Sequence, residues 1–125
     1  MQSALSKALD PETRTAIAIA VSQVNKCNYC LKAHCYVALK DNTSPGNDIL
    51  LRDSYDANKR AAAEFAAKVV ELRGHVADED LKAVRGAGFK DSQILEIIAL
   101  SVQFLMTNFM NNVALTDIDV ELDQV

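Results

Sequence analysis

The sequence predicts an all-α fold, a single-domain helical bundle, on three observations. Half of the 125 residues are apolar, yet only 6% are aromatic and none is Trp, so the core has to be built from aliphatic and Ala side chains. Four Gly and two Pro supply little turn material for a multi-stranded sheet. The apolar residues also fall into long segments of helical period separated by capping residues and polar or Gly-containing breaks. A chain of this length buries roughly two-thirds of its unfolded surface, enough for one domain over residues 1–125.

The elements follow in order. Asp10-Pro11-Glu12 opens the first helix, with Asp as N-cap, Pro at the first helical position and an acid in the first turn. Ala16, Ile17, Ile19, Ala20, Val21 and Val24 are apolar on nearly every side, which predicts a buried helix. Asn25-Lys26 breaks the pattern, and a second helix opens at Cys27 or Asn28 and runs to about Lys40. Asp41 to Asn47, with Ser44-Pro45-Gly46, reads as a loop, and Ile49-Leu50-Leu51 as a short helix. Asp56 caps an Ala-rich helix from Ala57 to about Arg73, ended by Gly74, with an apolar stripe (Ala62, Phe65, Ala66, Val69, Val70, Leu72) opposed by Lys59, Glu64, Lys68 and Glu71. Asp78 caps a brief helix through Val84 that Gly86-Ala87-Gly88 stops, and Asp91 caps the last helix, Ser92 to about Asn111. The tail Asp117-Ile118-Asp119-Val120-Glu121 is acidic and expected on the surface. The last helix carries Leu95, Ile98, Leu100, Val102, Phe104, Leu105, Phe109 and Met110, more apolar area than short helices cover, which predicts a subunit interface.

Charge and leader signals narrow the function classes. A net charge of −4 with no basic stretch argues against nucleic acid. Ile94 to Met106, the most apolar run, is interrupted by Glu96, Ser101 and Gln103 and is too short to span a bilayer, so no membrane is expected. The first residues, Met1 to Lys7, lack the charged head and apolar run of a secretory signal. Three cysteines in such a chain point to a reducing, cytoplasmic setting, where a Cys-x-x-Cys is more often catalytic or metal-binding than a structural staple.

The chemistry sits in Cys27-Asn28-Tyr29-Cys30-Leu31-Lys32-Ala33-His34, a C-x-x-C-x-x-x-H pattern. On a helix these three side chains fall within an arc of roughly 60°, with His34 one turn beyond Cys30. A thiol attacks a peroxide or a disulfide only as thiolate, so its ordinary pKa near 8.5 has to be lowered. The helix N-terminus can do this, which favours Cys27 as the attacking sulfur; a proton taken by His34 can do it too, which favours Cys30. Our reading takes Cys30 as the attacking and Cys27 as the resolving thiol, the second converting a sulfenic acid to a disulfide. Cys35 lies roughly 140° around the helix from Cys30 and is assigned to packing. A structural zinc site needs four ligands, and the sequence offers only Cys35, pointing elsewhere, and His75, a loop residue after Gly74, so no metal is expected.

These residues resemble the alkylhydroperoxidase D-like (AhpD-like) branch of the carboxymuconolactone decarboxylase family, whose members typically read as an apolar helix, Asn-Gly, then Cys-x-Tyr-Cys-x-x-x-His. Ala16 to His34 is the corresponding stretch here, with Asn25-Lys26 before Cys27-Asn28-Tyr29-Cys30. Arg85 to Ile94 looks like the family's turn before its last long helix, and Thr107 to Ala114 like the ending of its peroxidase-related members. The resemblance extends from about Pro11 to Asp119. It implies five to seven helices with the Cys-x-x-Cys at the start of a central helix, assembly as a homotrimer or homohexamer, and reduction of small hydroperoxides through the dithiol. No cofactor is implied, but an external dithiol reductant protein is. Thr15 stands where well-known members carry a Glu proposed to relay protons, so Glu12, one turn earlier, and Thr15 itself are the candidate relay residues. Asn112 stands where related members often carry His.

The leading expectation is therefore a thiol peroxidase acting through Cys27, Cys30 and His34. The alternatives are a non-enzymatic redox sensor or disulfide-relay adaptor, lactone decarboxylation, whose enzymes generally lack the cysteine pair, and an oligomeric helical domain with vestigial thiols.

Overall fold

The computed structural model describes residues 9–40 and 56–116, with backbone alone over 35–40. Five helices occupy these residues: α1 (Pro11–Val24), α2 (Asn28–Lys40), α3 (Ala57–Glu71), α4 (Asp78–Gly86) and α5 (Asp91–Ala114), and no strand occurs among them. The expected loop at 41–47, the short helix at 49–51 and the acidic tail at 117–121 lie outside the described residues.

The helix α1 forms as its sequence dictates. The Asp10 carboxylate accepts from the Thr13 backbone N–H at 2.7 Å, and Pro11 needs no donor at the first position. Every residue from Ala16 to Ser22 is buried, so α1 is the central helix of the bundle. Ile17 and Val21 enter the main core with Phe65, Ala66, Val69, Val84, Ile94, Ile97 and Leu100. A second cluster joins Ala16, Ile19 and Ala20 to Ala63 and Ala67. Ala on both helices lets α1 and α3 approach closely, and their contact is the most extensive in the molecule. Helix α5 packs on α1 and α3, and α2 on α1 and, less extensively, α5.

The helix ends refine the sequence reading. Asp56 caps α3 as expected, accepting from Lys59 N–H at 2.9 Å. Asp78 and Asp91, expected as N-caps, are instead the first residues of α4 and α5, and the N-caps are Ala77 and Lys90. In each case the third helical residue reaches back: Asp80 Oδ2 accepts from Ala77 N–H at 3.0 Å, and Gln93 Oε1 from Lys90 N–H at 2.8 Å. This half of a capping box sets the start one residue earlier than the acid alone suggests. At the other ends, α4 continues to Gly86, α3 stops at Glu71 rather than Arg73, which leaves Leu72 at the C-cap and exposed rather than on the buried stripe, and α5 continues to Ala114 rather than Asn111. Arg73 and Leu115 hold left-handed backbone (φ 55° and 53°) that turns the chain out of α3 and α5.

The sequence reading takes Ile94 to Met106 as too short to span a bilayer, but the helix that contains this run extends to 24 residues, and by length and composition α5 is long and apolar enough to cross a membrane. Its inward face bears the buried polar residues Glu96, Ser101 and Asn108 and packs against α1 and α3, while its outward apolar face is exposed.

Candidate active site

The site forms at the turn between α1 and α2. Helix α1 ends in a Schellman turn: Cys27 N–H donates to the Ser22 carbonyl at 3.1 Å and Lys26 N–H to the Gln23 carbonyl at 3.2 Å. Lys26 takes the left-handed conformation, φ 54°, that this turn requires and that Gly ordinarily supplies. The turn delivers Cys27 to the N-cap of α2, where its carbonyl accepts from Leu31 N–H at 2.9 Å and its sulfur accepts from Cys30 N–H at 3.3 Å. A sulfur thus occupies the place where Ser or Asp usually caps a helix, facing the positive end of the macrodipole.

Cys27 and Cys30 are joined as a disulfide, with their Cα atoms 5.3 Å apart, within the ordinary range for a bridge. Both are buried, at 1% and 4% exposed. The polar neighbours of Cys30 Sγ come from α5: Asn111 Nδ2 donates to it at 3.4 Å, and the Thr107 carbonyl lies 4.0 Å away. The disulfide sulfur carries no proton, so the Thr107 carbonyl becomes a hydrogen-bond partner only in the reduced thiol. Cys27, by contrast, lines a cleft of about 320 Å³ together with Lys26, Tyr29, Asn111, Asn112 and Thr116.

His34 lies one turn beyond Cys30, as the spacing requires, but its ring packs edge-on against Phe104, with centroids 5.4 Å apart. Among the described residues it makes no hydrogen bond to either sulfur. Burial pushes its pKa below the ordinary 6.5, so the imidazole is neutral at physiological pH. The sequence allowed His34 either to pair with a thiolate or to take its proton; a neutral ring suits only the second.

The two candidate relay residues are engaged elsewhere. Glu12 pairs with Lys59 at 2.8 Å, and Lys59 also holds Asp56 at 3.1 Å. Glu12 lies twelve residues before the end of α1, about 18 Å along its axis. The Thr15 hydroxyl donates to its own helix at the Pro11 carbonyl, 3.0 Å away. Neither makes a polar contact with His34 or the cysteines among the described residues. The side chain of Cys35, expected to pack in the core, lies outside those described, and His75 is exposed in the loop after α3, as expected.

A layer of amides, of which the sequence reading singles out Asn112 but not Asn108 or Asn111, locks the site to α5. Asn25 Nδ2 donates to Asn108 Oδ1 at 3.0 Å, and Asn108 Nδ2 to Ser22 Oγ at 3.2 Å in the buried interior. Asn112, in the position where relatives often carry His, donates to the Asn25 carbonyl at 3.0 Å. One signal was available: Asn is a poor residue for a helix interior, yet α5 places Asn at 108, 111 and 112 in its last two turns. Among the described residues no group of three metal-ligating side chains gathers. A larger, apolar groove of about 650 Å³ lies along α3 and α5, lined by Val69, Val70, Ile98, Val102, Leu105 and Phe109, and neither cysteine of the pair borders it.

The fold and site together define a helical domain built around a Cys-x-x-Cys at a helix N-terminus. The model of the carboxymuconolactone decarboxylase family matches residues 1–72, more than half of the chain, and the chain belongs to that family. Two solved structures are similar. One, an uncharacterised peroxidase-related protein from Silicibacter sp. TM1040, superposes with a TM-score of 0.77 at 29% identity over 91% of this chain and 62% of its own. The other, an uncharacterised peroxidase-related protein from Ralstonia eutropha JMP134 described as an alkylhydroperoxidase AhpD core, gives 0.82 at 26% identity over 97% of this chain and 67% of its own. The chain thus spans about three-fifths to two-thirds of these proteins' lengths. No curated protein matches the chain in sequence.

Proposed function

We propose that this chain is a cytoplasmic dithiol peroxidase that reduces small hydroperoxides and is recycled by an external dithiol protein. The observation that carries the reading is the Cys27–Cys30 pair, bridged within one helical turn and held by donors directed at both sulfurs. Similarity to the two peroxidase-related proteins supports it.

The cycle balances as follows. The Cys30 thiol loses its proton to solvent, with His34, one turn beyond it, as the relay; burial disfavours the charged ring, so His34 carries the proton only in passing. The thiolate attacks the terminal peroxide oxygen; an S–O bond forms, the O–O bond breaks, and the alkoxide leaves to take a proton as alcohol. The sulfenic acid on Cys30 condenses with the Cys27 thiol, releasing water and forming the disulfide. An external dithiol returns both cysteines to thiols and leaves oxidised. No metal and no bound cofactor takes part in this scheme.

The test is mass spectrometry of reduced protein before and after one equivalent of hydroperoxide, with mapping of alkylated thiols. A loss of two hydrogens localised to a Cys27–Cys30 bridge is expected; thiols that stay reduced overturn the reading. A second reading, a redox relay that exchanges disulfides with a partner without turning over peroxide, is favoured by the engagement of Glu12 with Lys59 and of Thr15 with its own backbone. Steady-state peroxide consumption with a supplied dithiol separates them, because a relay reacts once and stops.

A further inference from the structure

A thiolate buried at Cys30 needs its charge stabilised, and among the described residues around it cationic groups are few. From Ile97 through the end of α5 to Thr116, the stretch that includes Thr107 and Asn111 beside the sulfur, no residue is ionisable. The end of α1 contributes Ser22, Gln23, Val24 and Asn25, all uncharged. On α2 the titratable neighbours are Cys27, Tyr29, Lys32 and His34; His34 is neutral and turned onto Phe104. Lys26 lies on the rim of the cleft that Cys27 lines. A dipole is what remains at the sulfur itself.

We propose that Asn111 is a catalytic residue whose side-chain amide donates to Cys30 Sγ and stabilises the thiolate there. The geometry fixes the amide in that role. Its Nδ2 donates to the Thr107 carbonyl at 3.0 Å and to Cys30 Sγ at 3.4 Å, one proton to each. Its Oδ1 accepts from Thr116 Oγ1 at 2.7 Å. A flipped amide would set Oδ1 against the Thr107 carbonyl, two acceptors facing each other, so the donor has to face the sulfur. Thr116 reaches back because Leu115 takes the left-handed conformation (φ 53°, ψ 46°) and Thr116 N–H returns to the Asn111 carbonyl at 3.2 Å. The end of α5 is thus folded to hold one amide.

The two α5 groups around the sulfur act oppositely. A protonated Cys30 donates to the Thr107 carbonyl, which favours the thiol, whereas the Asn111 amide donates only to sulfur and favours the thiolate. The inference deepens the dithiol reading above and rests on it. In the return half of the cycle the same contact serves a leaving group. An external thiolate attacks Cys27 Sγ from the cleft that Cys27 borders; the new S–S bond forms, the Cys27–Cys30 bond breaks, and the electron pair leaves on Cys30, where the amide donates to it.

The test uses the full chain carrying Cys27→Ser, which keeps a cap at the head of α2 and leaves Cys30 as the one thiol of the pair. The pH dependence of its alkylation by iodoacetamide is followed by peptide mapping, which separates it from Cys35. Asn111→Leu removes the donor while keeping the branched shape and raises the Cys30 pKa by about one unit, about tenfold less thiolate at neutral pH. Asn111→Asp, isosteric but without a donor and anionic, raises it further. Thr116→Val leaves the amide but unties it, and gives the smallest shift. A merely structural role would not order the variants by the charge they present to the sulfur. An unchanged Cys30 pKa in Asn111→Asp, with helical circular dichroism retained, overturns the proposal, as does an equal shift in Leu and Asp variants. Alkylation consumes no peroxide, so shifted values in a protein inert to hydroperoxide would uphold Asn111 and remove the peroxidase reading alone.

Discussion

At Cys30 the decisive contact comes from a residue 81 positions away in the chain, and each thiol has its own donor: a backbone N–H for Cys27, a side-chain amide for Cys30. The roles assigned to them separate in two variants. Cys30→Ser is expected to abolish both bridge formation and peroxide consumption, while Cys27→Ser leaves a sulfenic acid on Cys30 that dimedone captures and mass spectrometry locates. Capture at Cys27 in a Cys30→Ser protein would invert the assignment. His34 gives a prediction of another kind. Its folded pKa is lowered by burial, so below pH 6.5 the unfolded chain takes up a proton that the folded chain refuses. The unfolded state then binds more protons, and stability falls as pH drops from 6.5 until the buried ring itself is protonated. Above 6.5 the term is flat. Urea midpoints between neutral and mildly acidic pH are expected to fall more for wild type than for His34→Gln, and parallel curves would refute it. The contact of His34 with Phe104 could not be read from the sequence, because the partner lies 70 residues on; its spacing from Cys30 was legible, its hydrogen-bonding was not.

At the scale of elements, legibility followed locality. Asp10, Asp56 and the Cys27–Asn28 opening were readable because a cap is decided within four residues. Ala77 and Lys90 were missed because their side chains do not cap at all, the anchoring acceptor lying three residues further on. The turn after α1 shows local cost accepted for position. Lys26 holds φ 54° to complete the Schellman turn that sets Cys27 at the head of α2, and a side chain there is disfavoured relative to Gly. Lys26→Gly is expected to stabilise the protein by about 0.5–1 kcal/mol, a rise in Tm of about 2–5 °C. An unchanged or lower Tm would mean that the Lys26 side chain makes up for its backbone. Asp10→Ala removes the acceptor for Thr13 N–H and should cost about 1 kcal/mol, read as a lower urea midpoint at unchanged slope.

For the whole molecule, the bundle was readable because α1, α3 and α5 each declare their buried faces by period, whereas the pairing of the α1–α2 turn with the end of α5 depends on contacts more than 80 residues apart. The remaining surface of α5 bears on assembly. Leu95, Val102, Met106, Phe109 and Val113 are between 53% and 86% exposed and recur at intervals of seven, four, three and four residues. With Ala99 at the intervening position this is the seam of a helix that packs against another helix. We propose that its occupant is a second copy of this chain, because no residue from Ile97 to Thr116 carries a charge that would repel a like surface. A homo-oligomer, trimer or hexamer, would bury the stripe without occupying the cleft that Cys27 lines, since none of these five residues borders it. Sedimentation velocity of the wild-type chain is expected to give a multiple of the monomer mass, and Val102→Glu combined with Phe109→Glu a monomer that retains its helical circular dichroism. A wild type that sediments as a monomer at micromolar concentration would leave the stripe exposed and refute the assembly. If the variant dissociates yet still forms the Cys27–Cys30 bridge with peroxide, the site is complete within one chain, as the hydrogen bonds from α1 and α5 imply.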